Sequence, residues 1–471
     1  MRAHVTTITV LPEAPSRPAD SWLTRLGDAM QGHRRLIQGI QWFIVLSYLI
    51  LLIGPVLVPL PQGYVHLYEN LALFSQFLFW GLWWPFVMIS MMLMGRVWCG
   101  VFCPEGALSE WASRHGLGRP IPRWMRWYAW PFLAFALTTL YGQLISVYEY
   151  PRAALLILGG STIFAVAVGF VYGRGTRVWC RYLCPANGVF ALLSRVAPIH
   201  FRVDSGAWRR APRRTPAVDC APLINIRAMT GNSACHMCGR CSGHRNAVSL
   251  ATRSPEQEIL AMPSRDVSRW EVRLLLFGML GMAAGAFQWT VSPWFVNLKQ
   301  AVASWLINQN AFLLLQDNAP WWLLTHYPES NDVFSWLDGA CILFYIAASA
   351  LLIGGGMLLL LRLAGRLLEQ RDLSWRLAYC LIPLAGINLF LGLSSLTVSM
   401  LRGERLDLAW VSGVRMMLLL VAVVWTGHLV WRMTGHEMQS GFGGRRAAAW
   451  GLVMSGVSLI TLSWLMMFFY W

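Results

Sequence analysis

The sequence predicts an all-α polytopic membrane protein of about nine transmembrane helices with one small soluble insert, and three observations carry that expectation. Of 471 residues, 56% are hydrophobic and only 13% charged, against roughly 25% charge in soluble domains. Apolar runs of about 20 residues recur along the chain, the length a helix needs to cross a hydrocarbon core roughly 30 Å thick. The basic residues, finally, collect on alternate connections between those runs.

The runs place helices at about 38–60, 71–94, 127–148, 154–173, 272–293, 338–361, 377–400, 412–431 and 447–470. With a cytoplasmic N-terminus, all 38 basic residues except Arg152, Lys299, Arg402, Arg405 and Arg415 fall in cytoplasmic segments. Basic residues on one side set orientation, so the C-terminus is expected outside the cytoplasm. A net charge of +16 on a soluble protein would point to nucleic acid; this placement points to a lipid surface instead. Lys299 is the only lysine. The arginine excess suits lipid phosphate and buried carboxylates, or reflects a bias of composition alone.

Four segments follow. Residues 1–37 mix Pro, Arg, Asp and Glu without the apolar stretch of a signal peptide, and read as a cytoplasmic N-terminal tail, partly disordered. Residues 38–199 form a four-helix membrane half, 200–270 a cytoplasmic insert, and 271–471 a five-helix membrane half. The external segment 294–337 of that second half is rich in Trp, with Trp294, Trp305, Trp321, Trp322 and Trp336. Part of it, about 296–315, fits an amphipathic helix at the interface. It reads as an aromatic belt or as a docking platform for an external partner.

The first half contains a repeat. Arg96-Val97-Trp98-Cys99 recurs as Arg177-Val178-Trp179-Cys180, and three residues after each cysteine comes Cys-Pro, as Cys103-Pro104 and Cys184-Pro185. Both copies follow an even-numbered helix, so both end on the cytoplasmic face, as in a parallel repeat. Proline suits the first position of a helix, which predicts Cys103 and Cys184 at the N-caps of short helices over about 104–115 and 185–195. A helix N-terminus lowers a thiol pKa, which suits a metal ligand or a redox thiol. Cys99, Cys103, Cys180 and Cys184 together offer four thiolates to one cofactor, either a second iron–sulfur cluster or another metal. Dithiol chemistry, transient metal binding and a structural role stay open for them.

The strongest single motif is Cys235-His236-Met237-Cys238-Gly239-Arg240-Cys241. A C-x2-C-x2-C run lets three thiolates wrap one cubane, and makes the insert a small ferredoxin-like iron–sulfur unit with one 4Fe-4S cluster. The bacterial pattern places a fourth cysteine, serving a second cluster, where Arg245 stands here. The fourth ligand is therefore expected to be Cys220, with His236 and His244 as substitutes. Structural zinc accepts the same residue types and is the alternative. Cys341 and Cys380 sit near opposite membrane faces and read as core residues. His428, alone well inside a span, reads as a packed histidine rather than a haem ligand. No Asp or Glu lies deep in a span, which disfavours an ion pump. Gly281 and Gly285 read as a helix-packing step.

Gly95-Arg96-Val97-Trp98-Cys99-Gly100-Val101-Phe102-Cys103-Pro104-Glu105-Gly106 and Cys180-Arg181-Tyr182-Leu183-Cys184-Pro185 resemble the paired motifs of the bacterial membrane polyferredoxins. That group includes the membrane ferredoxin of periplasmic nitrate reductase, the nitrous-oxide-reduction regulator and the copper-assembly protein of cytochrome oxidase. The resemblance covers about residues 38–270. The chain departs from the group in carrying a single ferredoxin motif with upstream Cys220, and in its five C-terminal helices. Cys235 through Arg245 is similar to the membrane ferredoxin of ferrous-iron permease systems. The resemblance implies a bacterial inner-membrane protein, electron transport linked to iron uptake, a cupredoxin-like periplasmic redox partner and a membrane permease.

The expected function is electron transfer between an external or quinone partner and a cytoplasmic cluster, with the chain a redox component rather than a self-contained enzyme. Copper or ferric-iron reduction or handling at the C-x3-C-P thiolates is the alternative. A permease or scaffold with a zinc-stabilised insert is the non-redox one.

Overall fold

The structure, a computed structural model, describes residues 21–471 apart from 62, 64, 212–214, 371 and 437–442. Residues 1–20 of the expected tail lie outside the described part. From residue 22 the chain is helical: α1 (Trp22–Gly32) is capped by Ser21, whose Oγ accepts from the Thr24 N–H at 3.2 Å.

Among the described residues eight helices are long and apolar enough to cross a membrane: α2 (Arg34–Leu57), α3 (Leu71–Met94), then, beyond two shorter helices, Pro151–Tyr172, Arg269–Gln288, Trp336–Leu367, Leu373–Gly403, Trp410–Gly435 and Gly443–Phe469. The two shorter helices are α4 (Pro104–Arg114) and α5 (Trp130–Leu144), and the six that follow are α6 (Pro151–Tyr172), α7 (Arg269–Gln288), α8 (Trp336–Leu367), α9 (Leu373–Gly403), α10 (Trp410–Gly435) and α11 (Gly443–Phe469).

The helix expected over 127–148 is α5, shortened to 15 residues and so about 22 Å long. A turn at Trp124–Arg126 and Pro131 delay its start, and Ser146, with φ 49°, ends the run in a left-handed turn. It nevertheless joins the same two levels as α7. Trp127 before it packs on Trp270 at the start of α7, 5.8 Å between ring centres, and the Trp289 Nε1–H just beyond α7 donates to Gln143 Oε1 at 2.7 Å. With α5 counted, nine helices among the described residues join these two levels in turn, which puts the start of α2 and the end of α11 at opposite levels. We call them the cysteine face and the far face.

Helices α9 and α7 form the centre, with 83% and 72% of their most apolar stretch buried, against 17–33% for α2, α6, α8, α10 and α11. Small residues set the closest approach: a methyl group on Gly281 would meet the Ala350 backbone at 2.8 Å, and one on Gly285 the Ile346 backbone at 2.9 Å. This is the packing step expected of that pair.

On the cysteine face the insert is built on an antiparallel pair, β1 (Ile199–Val203) and β2 (Val248–Thr252), in register Phe201 opposite Leu250. Helix α1 lies on β2, with Gly27 against Leu250 and Asp28 Oδ1 accepting from Ser242 Oγ at 2.7 Å. Buried ion pairs anchor the insert to the membrane half: Arg195 bridges Glu258 at 3.3 Å and Glu271 of α7 at 2.9 Å, while Arg253 meets Glu258 at 2.6 Å. On the far face a helix forms over Pro293–Asn308, where about 296–315 was expected to be helical, and Lys299 pairs with Asp338 at the capped start of α8.

Candidate functional site

The two repeat loops fold alike up to a point. After α3 the chain turns at Gly95, with φ 65°, and widens through Trp98–Phe102. Cys103 then caps α4, its Sγ accepting from the Gly106 N–H at 3.4 Å, as expected from Cys-Pro. The second copy corrects the expectation. Its helix runs over Asn187–Leu193 with Ala186 at the N-cap, and Cys184 sits in the turn before it. Pro185 therefore starts a turn there, not the helix.

The arginines that open the repeats are almost wholly buried, Arg96 2% and Arg177 1% exposed. Each reaches out of its own loop. Arg96 donates from Nη1 to Ser233 O at 2.8 Å and from Nη2 to Asn187 Oδ1 at 2.8 Å, with Cys99 Sγ 3.8 Å away. Arg177 donates to the carbonyl oxygens of Cys99 and Gly100, and its Nε–H to Glu110 Oε2 at 2.9 Å. So the first repeat's arginine holds the loop after the second, and the second's holds the first. This exchange brings Cys99 near enough to Cys103, Cys180 and Cys184 that its charge would raise all three.

In the insert, Cys220, Cys235, Cys238 and Cys241 line one largely apolar cavity with His236 and Arg240. Met237 (φ 51°) and Gly239 (φ 75°) take left-handed turns that coil the motif round it, and the Met237 N–H points at Cys235 Sγ, 3.4 Å away. His236 is buried there with Nδ1 unpartnered, whereas His244 packs on Trp208 with ring centres 5.3 Å apart and does not line the cavity. Arg245, where the bacterial pattern has cysteine, lies 5.2 Å over the Trp208 ring.

The two groups of four cysteines adjoin. Gly100 presses on the backbone of His236 and Cys238, so closely that a methyl group would overlap the His236 carbonyl oxygen. Gln41 Nε2–H of α2 donates to Gly100 O at 2.9 Å from the other side. Around the seam, Glu110 accepts from Arg177, Arg240 and, at 2.9 Å, Arg114. Burial raises that carboxyl, yet the Arg177 and Arg240 guanidiniums outweigh it and hold it at about 2. Sequence reasoning quoted Arg96 and Arg177 only as repeat markers and missed Gly100 and Glu110; the equal position of the two arginines was the one available signal.

Burial has the opposite effect on the thiols. It pushes Cys180 and Cys235 up to about 12 and raises Cys103, Cys184 and Cys241 as well. The expected lowering at the Cys103 helix start is a correction: the Gly106 N–H does lower it, but burial and the neighbouring thiols count for more. Bare, these thiols are neutral, and a bound cation that stabilises thiolate is what ionises them. Among the described residues no three His, Cys, Asp or Glu side chains close on one point as ligands of a single metal ion do.

The remaining residues stand apart. Cys341 is buried near the far-face start of α8, and Cys380 near the opposite face, its Sγ 3.7 Å from Met433 Sδ. His428 pairs with Glu256 at 3.2 Å.

Comparison with known proteins places this geometry. The 4Fe-4S binding domain family matches residues 76–127 and 157–204, the stretches that hold Cys99, Cys103, Cys180 and Cys184. The candidate electron transport protein YccM of Escherichia coli is 25% identical over 239 residues, 43% of this chain and 65% of YccM. The regulatory protein NosR is 28% identical in Pseudomonas aeruginosa and 26% in Stutzerimonas stutzeri, each over 182 residues, 34% of this chain and about a quarter of NosR. The chain thus spans less than two thirds of each of these relatives. No solved structure matches.

Proposed function

We propose, for this multi-pass iron–sulfur electron-transfer protein of the membrane polyferredoxin type, a route from a carrier at the far face to two clusters on the cysteine face. Cys220, Cys235, Cys238 and Cys241 would hold one 4Fe-4S cluster, and Cys99, Cys103, Cys180 and Cys184 a second. The observation that carries this reading is the contact of Gly100 with His236 and Cys238, which sets the two cysteine groups side by side. When bound, such clusters supply one-electron redox chemistry. The chain's own residues keep the sites dry, hold them together through Arg96 and Arg177, and surround both with guanidinium charge that favours the reduced, more negative state.

Three cysteines in tight succession favour a cluster over zinc, whose sites more often use separated pairs. The positive-inside bias supports a cytoplasmic cysteine face, and the resemblance to bacterial membrane polyferredoxins an inner-membrane location. The far face would then meet a periplasmic partner, and a cupredoxin-like donor beside a ferrous-iron permease is the pairing the CHMCGRC motif implies.

A membrane quinone is the other far-face carrier, and one observation favours it. A cleft between α2, α3 and α6, with free room of about 20 Å³, is lined by Leu52, Ser75, Gln76, Phe79, Trp80 and Tyr150, a contact point for a quinone head group rather than a pocket that encloses one. Ser75 Oγ is buried there without a partner, free to donate to a ligand oxygen.

The test is iron and acid-labile sulfide on anaerobically purified protein, with electron paramagnetic resonance before and after dithionite. About eight iron per chain and two interacting signals are expected from two cubanes. Cys99→Ser with Cys180→Ser should remove one signal and Cys220→Ser the other. Four iron per chain would return the repeat thiols to metal handling, with copper the first metal to try, and zinc without sulfide would end the redox reading.

A further inference from the structure

The route leaves most of the membrane's width between the far-face carrier and the cysteines. We propose that a file of aromatic rings, Tyr148–Trp80–Phe79–Trp83–Trp98, provides the electronic coupling across that width to Cys99. The proposal rests on the electron-transfer reading above and adds the path.

The file is continuous. Tyr148, in the far-face turn after α5, meets Trp80 with ring centres 4.8 Å apart and planes at 74°. Trp80 lies 5.2 Å from Phe79, and Phe79 stacks on Trp83 at 5.5 Å with planes 28° apart. Trp83 meets Trp98 at 5.0 Å, and Trp98 is the chain neighbour of Cys99 in the same buried cluster. Phe102, beside Cys103, lies 5.7 Å beyond Trp98. Phe79, Trp80 and Trp98 are buried.

Local structure explains the alignment. Residues Phe77–Trp83 form a widened, π-helical stretch of α3. A wider turn brings residues four apart nearer to one line along the helix, which sets Phe79 over Trp83. Widened stretches of this kind cost hydrogen-bond geometry and recur at functional sites. Phe79 and Trp80, inside the file, also line the cleft that holds Ser75, so a group reaching into that cleft meets the file without passing Tyr148.

Tunnelling weakens exponentially with the gap an electron must bridge. Rings near van der Waals contact leave only short gaps between π systems, which saturated side chains do not offer. The rings are not themselves oxidised, because iron–sulfur clusters are far too weak as oxidants to take an electron from indole or phenol. A one-electron reductant at the far face loses an electron, one ferric iron at the cysteine face becomes ferrous, and no bond forms or breaks.

The test uses the full chain with its iron–sulfur complement in sealed vesicles. A membrane-impermeant reductant is offered first on the far side and then on the cysteine side, and cluster bleaching is timed. Trp83→Leu and Phe79→Leu should slow far-side reduction by an order of magnitude or more and leave cysteine-side reduction and iron content unchanged. Trp83→Phe, which keeps a ring, should restore most of the rate, and the off-file Trp450→Leu should change nothing. Independently of electron transfer, cluster-free protein should lose near-ultraviolet circular dichroism from coupled rings in Trp83→Leu and keep it in Trp450→Leu. An unchanged far-side rate in both leucine variants would overturn the file. Equal slowing by Trp83→Phe and Trp83→Leu would also overturn it, in favour of packing. No far-side reduction of the native protein would remove the transmembrane reading itself, and the file with it.

Discussion

Arg177 Nε lies 2.9 Å from Glu110 Oε2, and the pair is buried where the two cysteine groups meet. Glu110 also takes Arg240 of the insert motif, so one carboxylate neutralises a guanidinium from each side of the seam. Glu110→Gln leaves two buried cations short of their counter-charge, a loss of about 3–5 kcal/mol for a broken buried pair. Thermal unfolding in detergent should show the drop. A change within error would mean that water screens the pair.

The same carboxylate sets an acid limit. Unfolded glutamate titrates near 4.3, and Glu110 in the fold at about 2. A depressed folded pKa gives stability that is complete above the unfolded value and is lost as pH falls through the folded one. Acid unfolding of the native protein should therefore steepen below about pH 4.3 relative to Glu110→Gln. Parallel acid profiles would contradict the assignment.

His200 on β1 titrates in a separate window. Burial, with the Arg253 guanidinium beside it, lowers it to about 4 in the fold, against about 6.5 unfolded. Its contribution is complete above pH 6.5 and falls away toward pH 4 as the unfolded chain takes up the proton more readily. His200→Gln should flatten stability over that interval. Hydrogen exchange of the β1–β2 amides, at several pH values, would measure it, and an equal pH slope in both proteins would refute it.

Gly100→Ala tests the seam directly. A methyl group there meets the backbone of His236 and Cys238, which no side-chain rotation relieves. The two cysteine groups should separate, weakening magnetic interaction between their reduced signals and lowering iron content. Retention of both would show that the loops shift to admit a methyl.

Gly285→Val should loosen α7 from α8. The added carbon meets Ile346 backbone at 2.9 Å, and overpacking of this kind costs about 1–3 kcal/mol. A lower detergent melting temperature with unchanged visible absorption per chain is expected.

Much of this architecture was legible in the sequence, because lipid and metal constrain residue type directly. Spans such as 71–94 announce themselves by length, and Cys235, Cys238 and Cys241 by a close spacing that the fold gathers round one cavity with Cys220. What escaped depends on contacts between distant segments. Gly100 is unremarked in its own loop and matters only because residues 236–238 arrive against it. Glu110 reads as one charge on a short amphipathic helix until Arg177 and Arg240 surround it. The thiol ionisation was misjudged for Cys103 because the helix start is visible in sequence and the depth of burial is not. Ring contacts such as Phe79 on Trp83 depend on a widened helical turn that composition does not mark.

The docking of α1 on the insert has a bearing on how the protein is made. Trp22–Gly32 finds its partner in Ser242 and Leu250, more than two hundred residues later in the chain. Contacts of such separation form late and slowly. During synthesis the helix waits beside a bilayer already receiving the first four spans, and the thiols of the insert emerge last among the eight. There is thus an interval, after Cys241 has left the ribosome and before α1 closes over β2, when all eight cysteines are present and the insert is not yet covered.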